Sequence, residues 1–149
     1  QNNYNTLVAA GLKLQRWAEA AAAARQMLAG RPAIDDTSPG TLDGLATDRA
    51  WAAAAFIRTG ATEEARELLE KAAEFNRAQR AAGAHDHESR FQTALIALGY
   101  GLLAKAPEEK LRRFTEGLAE IDGMAPQPRQ LRSVRDLRAV LQAELTRAG

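Results

Sequence analysis

The sequence predicts an all-α protein built from seven helices, and three observations support that fold class. Apolar residues recur at intervals of three and four along most of the chain, which is the spacing of one buried helix face. Glycine and proline separate these stretches, whereas no stretch of useful length alternates apolar and polar residues as a β-strand would. Alanine supplies 33 of the 149 residues, and that abundance favours closely packed helices over a bulky β core.

The first predicted hairpin covers about residues 3–30. Its first helix carries apolar residues near one face, and its second helix continues the pattern from Trp17. Gly30 and Pro32 then end the pair, because glycine and proline are frequent just beyond a helix end.

The second predicted hairpin covers about residues 44–80, and its junction has the clearest local signals. A third helix is expected over about Gly44–Thr59, and Gly60 suits the left-handed position beyond its end. Thr62 is the expected N-cap of the fourth helix, with Glu63 favourably placed in the first turn. Its buried stripe is predicted to be Ala65, Leu68, Leu69, Ala72 and Phe75.

The third predicted hairpin covers about residues 87–122, with Pro107 opening its second helix. The stretch Met124–Pro128 then breaks the chain, and an amphipathic last helix is expected over about residues 129–147. Its apolar side comprises Leu131, Val134, Leu137, Leu141 and Leu145, and Arg132, Arg135 and Asp136 are expected to face solvent. A length of 149 residues suits one compact domain, so residues 1–149 are predicted to form a single unit.

A shift of the sequence by 45 residues superimposes the three hairpins. The aligned sets are Glu19, Glu64 and Glu109; Leu12, Ile57 and Leu102; Val8, Ala53 and Leu98; and Leu28, Ala73 and Leu118. Because a lone hairpin cannot bury its apolar faces, three repeated hairpins are expected to stack, and the last helix is expected to cap the stack.

Residues at fixed positions of this repeating pattern resemble those of the tetratricopeptide repeat family, and the resemblance covers about residues 3–122. The first copy matches at Tyr4, Leu7, Gly11, Trp17, Ala20, Ala24 and Pro32, and the second at Gly60, Ala65, Leu69 and Ala72. The third copy departs from the pattern, with Lys105 at the junction glycine and Lys110 at an alanine position. The resemblance implies an α-α superhelix, although another α-hairpin repeat of similar period would have the same features.

The same resemblance implies a partner-binding groove lined by the first helix of each hairpin. The implied lining residues are Asn2, Asn5, Ala9, Leu12, Lys13, Ala50, Ala54, Ile57, Arg58, Gln92, Leu95, Gly99 and Leu102. This surface is largely apolar with a polar and basic edge, and it suits a peptide or an amphipathic helix of another protein. Two alternatives stay open: the chain's own C-terminal helix or a second copy in a homodimer could occupy the groove.

The expected function is therefore that of a protein-interaction or scaffold module, without enzymatic activity and without a cofactor. The sequence has no nucleophile elbow, phosphate-binding loop, zinc-protease motif or dinucleotide-binding glycine motif. It has no cysteine, which excludes disulfides, thiolate metal sites and cysteine nucleophiles. The residues with which some tetratricopeptide repeats clamp a peptide carboxylate are also missing, because Ala9, Trp51 and Ile96 occupy three of the five matching positions.

Charge and hydropathy restrict the expected partners and location. The formal net charge is only +1, which indicates neither a nucleic-acid nor a membrane partner. Apolar runs such as Ala50–Ile57 are too short to span a bilayer, so no membrane insertion is expected of this segment. The sequence is that of a soluble domain and does not distinguish a cytoplasmic from a periplasmic location.

Two clusters carry alternative functions. His85 and His87 suggest a domain that senses a metal or small ligand, since histidine is a common zinc and nickel ligand. No third ligand follows at a recognised spacing, and Asp86 is better explained as the cap of the fifth helix. Arginines at three-residue intervals on the last helix could bind phosphates, but acidic residues interrupt them, so a solvated helix face is favoured. They are Arg129, Arg132, Arg135 and Arg138.

Overall fold

A computed structural model describes residues 4–31 and 39–149 of the chain. Within these residues every regular element is a helix, which confirms the all-α prediction. Eight helices are present in this described part: α1 Tyr4–Lys13, α2 Trp17–Ala29, α3 Pro39–Arg58, α4 Thr62–Ala81, α5 His87–Leu103, α6 Pro107–Asp122, α7 Pro126–Arg129 and α8 Arg132–Ala148.

The helix ends repeat with the 45-residue period of the sequence. The first helices of the hairpins end at Lys13, Arg58 and Leu103, and the second helices begin at Trp17, Thr62 and Pro107. Each hairpin therefore turns at the same place in its repeat. The second hairpin starts earlier than expected, because α3 begins at Pro39 rather than near Gly44.

The residues at the junctions explain why each helix ends where it does. Gly60 has a φ of 92°, the left-handed conformation predicted for it. The side chain of Asp86 accepts a hydrogen bond of 3.0 Å from the backbone N–H of Ser89, which confirms that it caps α5. The predicted cap at Thr62 is wrong, because Thr62 is already helical and the preceding Ala61 takes the cap position without a side-chain bond.

Small residues allow the two helices of a hairpin to approach closely. A Cβ atom added at Gly11 would lie 2.8 Å from the Cβ of Ala20 in α2. At the equivalent position of the third hairpin, a Cβ on Gly101 would overlap the ring of Phe114 in α6. These two glycines are therefore required by packing, not by backbone conformation.

The last helix closes the stack on itself. It packs against α6 and α5 and also reaches back to α1, so the helices contact one another in a ring. The predicted helix over 129–147 is divided, with the short α7 ending at Arg129 and α8 beginning at Arg132. Asp136 was predicted to face solvent, yet it is buried and only 4% exposed.

None of the helices in the described part of the chain is both long enough and apolar enough to cross a membrane.

The contact between Gly101 and Phe114 can be tested by overpacking. We expect Gly101→Val to destabilise the fold by roughly 1–3 kcal/mol, because the added side chain would overlap the ring of Phe114. Urea denaturation followed by circular dichroism measures the change. Adding Phe114→Leu should make the double variant less destabilised than the sum of the two single variants, and strictly additive effects would contradict the contact.

Candidate interaction surfaces

The face predicted to line a partner groove is mostly buried within the protein. Seven of its residues are buried: Ala9, Leu12, Ala50, Ala54, Gln92, Leu95 and Gly99. Ile57, Arg58 and Leu102 are half-buried, only Asn5 and Lys13 are exposed, and Asn2 lies outside the described residues. A partner cannot reach the buried seven in this arrangement, which corrects the expectation of an open groove.

The chain's own last helix meets the basic edge of this face through ionic contacts. The ammonium group of Lys13 lies 2.8 Å from the carboxylate of Asp136, and the guanidinium of Arg58 pairs with Glu144. Glu144 is only 6% exposed, and Arg147 also pairs with it at 2.6 Å. The basic edge predicted for a partner is thus occupied by α8, as in the self-occluded alternative.

Gln92 also has a structural role in place of a binding one. Its side-chain amide donates hydrogen bonds to the carboxylate of Asp43 at 2.6 Å and to the hydroxyl of Thr47 at 3.3 Å. Its carbonyl oxygen accepts a bond of 3.4 Å from the buried amide of Asn76. These bonds join α3, α4 and α5, so Gln92 satisfies buried polar groups where the hairpins meet.

The opposite side of α5 bears a groove, which we call the outer groove. It encloses about 490 Å³ between α4 and α6, with α5 as its floor. Its lining residues are Thr93, Ile96, Ala97 and Tyr100 on α5; Ala73, Asn76 and Arg77 on α4; and Arg113, Glu116, Ala119 and Glu120 on α6. The floor is therefore largely apolar, and most of the charged groups belong to the two walls.

Ion pairs close one end of the outer groove. At the closed end, Glu120 lies 3.5 Å from Arg80 and 3.7 Å from Arg90. Toward the other end, the guanidinium of Arg113 stacks over the ring of Tyr100 at 5.0 Å. Arg77 forms no ion pair with any residue of the described ranges, so its charge is available to a ligand.

A comparison of equivalent positions in the 45-residue repeat shows which side chains differ between the first hairpin interface and the one that bears the outer groove. At the equivalent positions of the first interface, half-buried Leu28, Leu68 and Phe75 pack against the core. The second interface has Ala73, Arg113 and Glu120 instead. Two large apolar side chains have become charged and a third has become alanine.

An ion pair between neighbouring hairpins is also lost from one interface to the next. In the first interface Arg25 of α2 binds Glu64 of α4 at 3.1 Å and stacks over Phe56 at 4.3 Å. The equivalents of Arg25 and Glu64 are Glu70 and Glu109, which are both acidic. No attraction between these two side chains can draw α4 and α6 together at that end.

A second cavity lies where α3, α5 and α8 begin, and it encloses about 510 Å³. His87, Glu88 and Asp43 line it together with the exposed Leu131. A hydrogen bond with Asp43, and then burial, raise the pKa of Glu88 above its ordinary value. The neighbouring carboxyl group of Asp43 therefore disfavours the ionised form of Glu88.

The histidine cluster does not form a metal site in the described part of the chain. No three histidine, aspartate or glutamate side chains come together there in a way that could hold a metal ion. His85 and His87 are both exposed, and Asp86 between them is used as a helix cap.

The arginines of the last helical region pair mainly with acidic residues. Arg138 binds Asp122 at 3.0 Å, and Arg132 lies 3.8 Å from Asp136. Arg129 and Arg135 are exposed. This mixture of paired and solvated charges favours the interpretation of a solvated helix face.

The chain matches no protein-family model, no curated protein and no solved structure. The resemblance to tetratricopeptide repeats therefore stays a prediction from the sequence. The functional argument depends on the geometry of this chain alone.

Sequence reasoning missed the outer groove, although one signal could have identified it. The same alignment that reveals the repeat places Ala73, Arg113 and Glu120 opposite Leu28, Leu68 and Phe75. A polar substitution at a position that is apolar in another copy marks a surface where packing is no longer required. That comparison requires only the 45-residue period of the sequence.

The carboxyl pair in the second cavity predicts a pH-dependent stability. Because the pKa of Glu88 is raised in the folded protein, the folded state binds more protons, and stability falls as pH rises above the ordinary glutamate value of 4.5. We expect Glu88→Gln to raise the midpoint of thermal unfolding at neutral pH and to have little effect on it near pH 4.5. Glu108→Gln is the matched control, since Glu108 is also the second residue of its helix; it should slightly lower the midpoint at neutral pH. An effect of Glu88→Gln that does not change with pH would contradict the interaction between the Glu88 and Asp43 carboxyl groups.

The ionic contact of α8 with α1 gives a second prediction. Lys13→Met leaves the buried carboxylate of Asp136 without its close partner, and we expect a loss of about 2 kcal/mol because Lys13 itself is half-exposed. Adding Asp136→Leu should restore most of the stability, since the uncompensated charge is then removed. Urea denaturation of the wild type, the Lys13→Met variant and the double variant measures these changes in stability. A double variant as unstable as Lys13→Met would contradict the ionic contact.

Proposed function

We propose that this protein is a non-enzymatic interaction module that holds a helical segment of another protein in the outer groove. The observation that carries the proposal is the replacement of three packed apolar side chains by Ala73, Arg113 and Glu120 at the second hairpin interface. An apolar floor between two helices is the usual seat of an amphipathic helix.

The repeat also indicates which side chains the partner should insert. Leu28, Leu68 and Phe75 occupy the equivalent place in the first interface. A partner helix with leucine- and phenylalanine-sized residues on one face would supply the apolar groups that α4 and α6 lack. Burial of such side chains is the main source of affinity in this mode of binding.

Charge in the walls of the groove defines the partner further. Arg77 has no ionic partner in the described part of the chain, and Arg113 shares Glu109 with Arg112. An acidic residue beside the apolar face of the partner would pair with Arg77. Such a contact contributes to orientation and specificity more than to affinity.

The first-helix face has a structural role in this proposal. Its central residues, including Ala54 and Leu95, are fully buried and belong to the core. The partner surface is thereby moved from the first helices, where the sequence placed it, to the gap between two second helices. No metal and no cofactor takes part.

Filling the groove should abolish binding. The variant Ala73→Leu/Arg113→Leu restores the apolar residues of the first interface at both walls. We expect peptides selected from a displayed library of amphipathic helices to bind the wild type and to bind this variant at least about tenfold more weakly, a change of about 1.4 kcal/mol. Fluorescence anisotropy with labelled peptides measures the affinities.

The matched control is Ala78→Leu/Arg66→Leu, which makes the same changes at exposed positions of α4 outside the groove. This control should bind the selected peptides as the wild type does. The selected peptides should also carry an acidic residue next to their apolar face. The Arg77→Gln variant should therefore bind these peptides more weakly than the wild type does. A library that yields no binders, or binders that do not distinguish the filled groove from the control, would overturn the proposal.

A further inference from the structure

The second cavity holds two carboxyl groups that no cation of the described residues neutralises. Asp43 of α3 and Glu88 in the first turn of α5 both line it, and their side chains share a hydrogen bond. None of the ion pairs formed within residues 4–31 and 39–149 includes either of them. Two adjacent carboxylates disfavour each other unless a cation is present, so this pair provides a site for a positive charge.

The other polar groups of the cavity do not oppose a ligand cation. The guanidinium of Arg31 lies 2.8 Å from the carboxylate of Asp48, so its charge is balanced within the protein. His87 also lines the cavity, and histidine is largely uncharged at neutral pH. The lining therefore keeps a net negative charge near neutrality.

A second part of the lining is apolar. Phe91 follows Glu88 by one turn of α5, and Leu131 and Val134 lie one turn apart at the start of α8. The ring of Phe91 packs against Trp51 with the ring centroids 6.0 Å apart, which fixes its position. Leu131 is one of only three large apolar side chains that are exposed in the described residues, and it is 49% exposed. An apolar group bound beside Leu131 would remove it from water.

The volume and the lining together define the class of ligand. A cavity of about 510 Å³ is of the size that holds small organic molecules. A zinc or nickel ion is disfavoured, because no three suitable side chains come together in the described part of the chain. An anion would meet the two carboxyl groups, and a neutral molecule would leave them without a cation.

We infer that the second cavity binds a small organic amine. Its ammonium group lies between the carboxylates of Asp43 and Glu88, and its apolar body packs against Phe91, Leu131 and Val134. A protonated primary amine has three N–H donors, so it bonds to both carboxylates at once. This site is separate from the outer groove, which lies between α4 and α6.

The carboxyl pair is held in place without a ligand. The side-chain amide of Gln92 donates hydrogen bonds to the carboxylate of Asp43 at 2.6 Å and to its backbone carbonyl at 3.1 Å. The cap at Asp86 fixes the start of α5 and therefore the position of Glu88. Both acidic groups thus belong to regular helices, and a site formed in advance loses little conformational entropy on binding.

Amines and alcohols of the same carbon skeleton test the site. The probes are phenethylamine and isopentylamine, each compared with its alcohol and titrated into isotope-labelled protein that is observed by NMR. We expect the amines to shift the backbone amide signals of Phe91, Leu131 and Val134. We also expect at least one amine to bind about tenfold or more tightly than its alcohol, because only the amine carries the charge.

Removal of the two charges should abolish this preference. Asp43→Asn/Glu88→Gln keeps the shape of both side chains, and the new amide oxygen at position 43 still accepts from Gln92. We expect this variant to bind the amines at least about tenfold more weakly than the wild type and no better than the alcohols. Glu108→Gln is the matched control, since it neutralises an exposed glutamate at the second residue of α6, and it should bind as the wild type does.

A change in the apolar wall separates the two parts of the site. Leu131→Ser should weaken the amines and the alcohols by the same factor, because it removes apolar contact and leaves the carboxyl pair intact. Circular dichroism establishes that all variants are folded.

The outcomes also separate this proposal from that of the outer groove. The groove-filled variant Ala73→Leu/Arg113→Leu should bind the amines normally, and Asp43→Asn/Glu88→Gln should bind the selected peptides normally. Amines that bind no more tightly than their alcohols would overturn the amine site. Equal losses of amine binding in Asp43→Asn/Glu88→Gln and Glu108→Gln would overturn it as well.

Discussion

The packing of α8 against the first helices decides which surfaces of this protein a partner can reach. Two buried carboxylates on α8, those of Asp136 and Glu144, meet Lys13 of α1 and Arg58 of α3. Because a buried carboxylate without a cation is costly, these pairs oppose any movement of α8 away from the stack. The inner face of the first helices is buried, its edge at Lys13 and Arg58 is tied to α8, and the accessible features lie on the outside.

The outer groove arises from variation within a repeated framework. The hairpins turn at the same repeat position, and glycine at Gly11 and Gly101 lets the helices of the outer two hairpins approach closely. Positions that must pack in one copy are free to change where the neighbour is different. At the second interface that freedom produces a groove with charged walls.

Much of the local structure followed from the sequence, whereas the site did not. The helix class, the hairpin junctions, the left-handed Gly60 and the cap at Asp86 were predicted because each depends on a few neighbouring residues. Two local predictions were wrong. Thr62 is the first residue of α4 and not its N-cap, and Asp136 is buried although it was expected to face solvent. The groove lining was misplaced because helix periodicity shows that a face is apolar but not what covers it.

The sequence by itself determined that the chain forms helical hairpins with a 45-residue period, and it contained the apolar faces that drive their stacking. These properties depend on spacing along the chain, which the sequence displays directly. Only the tertiary structure decided where α8 lies, since α1 and α8 are separated by more than 100 residues. An amphipathic helix is equally able to cap an end or to cover an inner face, and the choice depends on which cations its buried carboxylates meet. Here Asp136 meets Lys13 and Glu144 meets Arg58, and these long-range pairs hold α8 against the edge of the inner face.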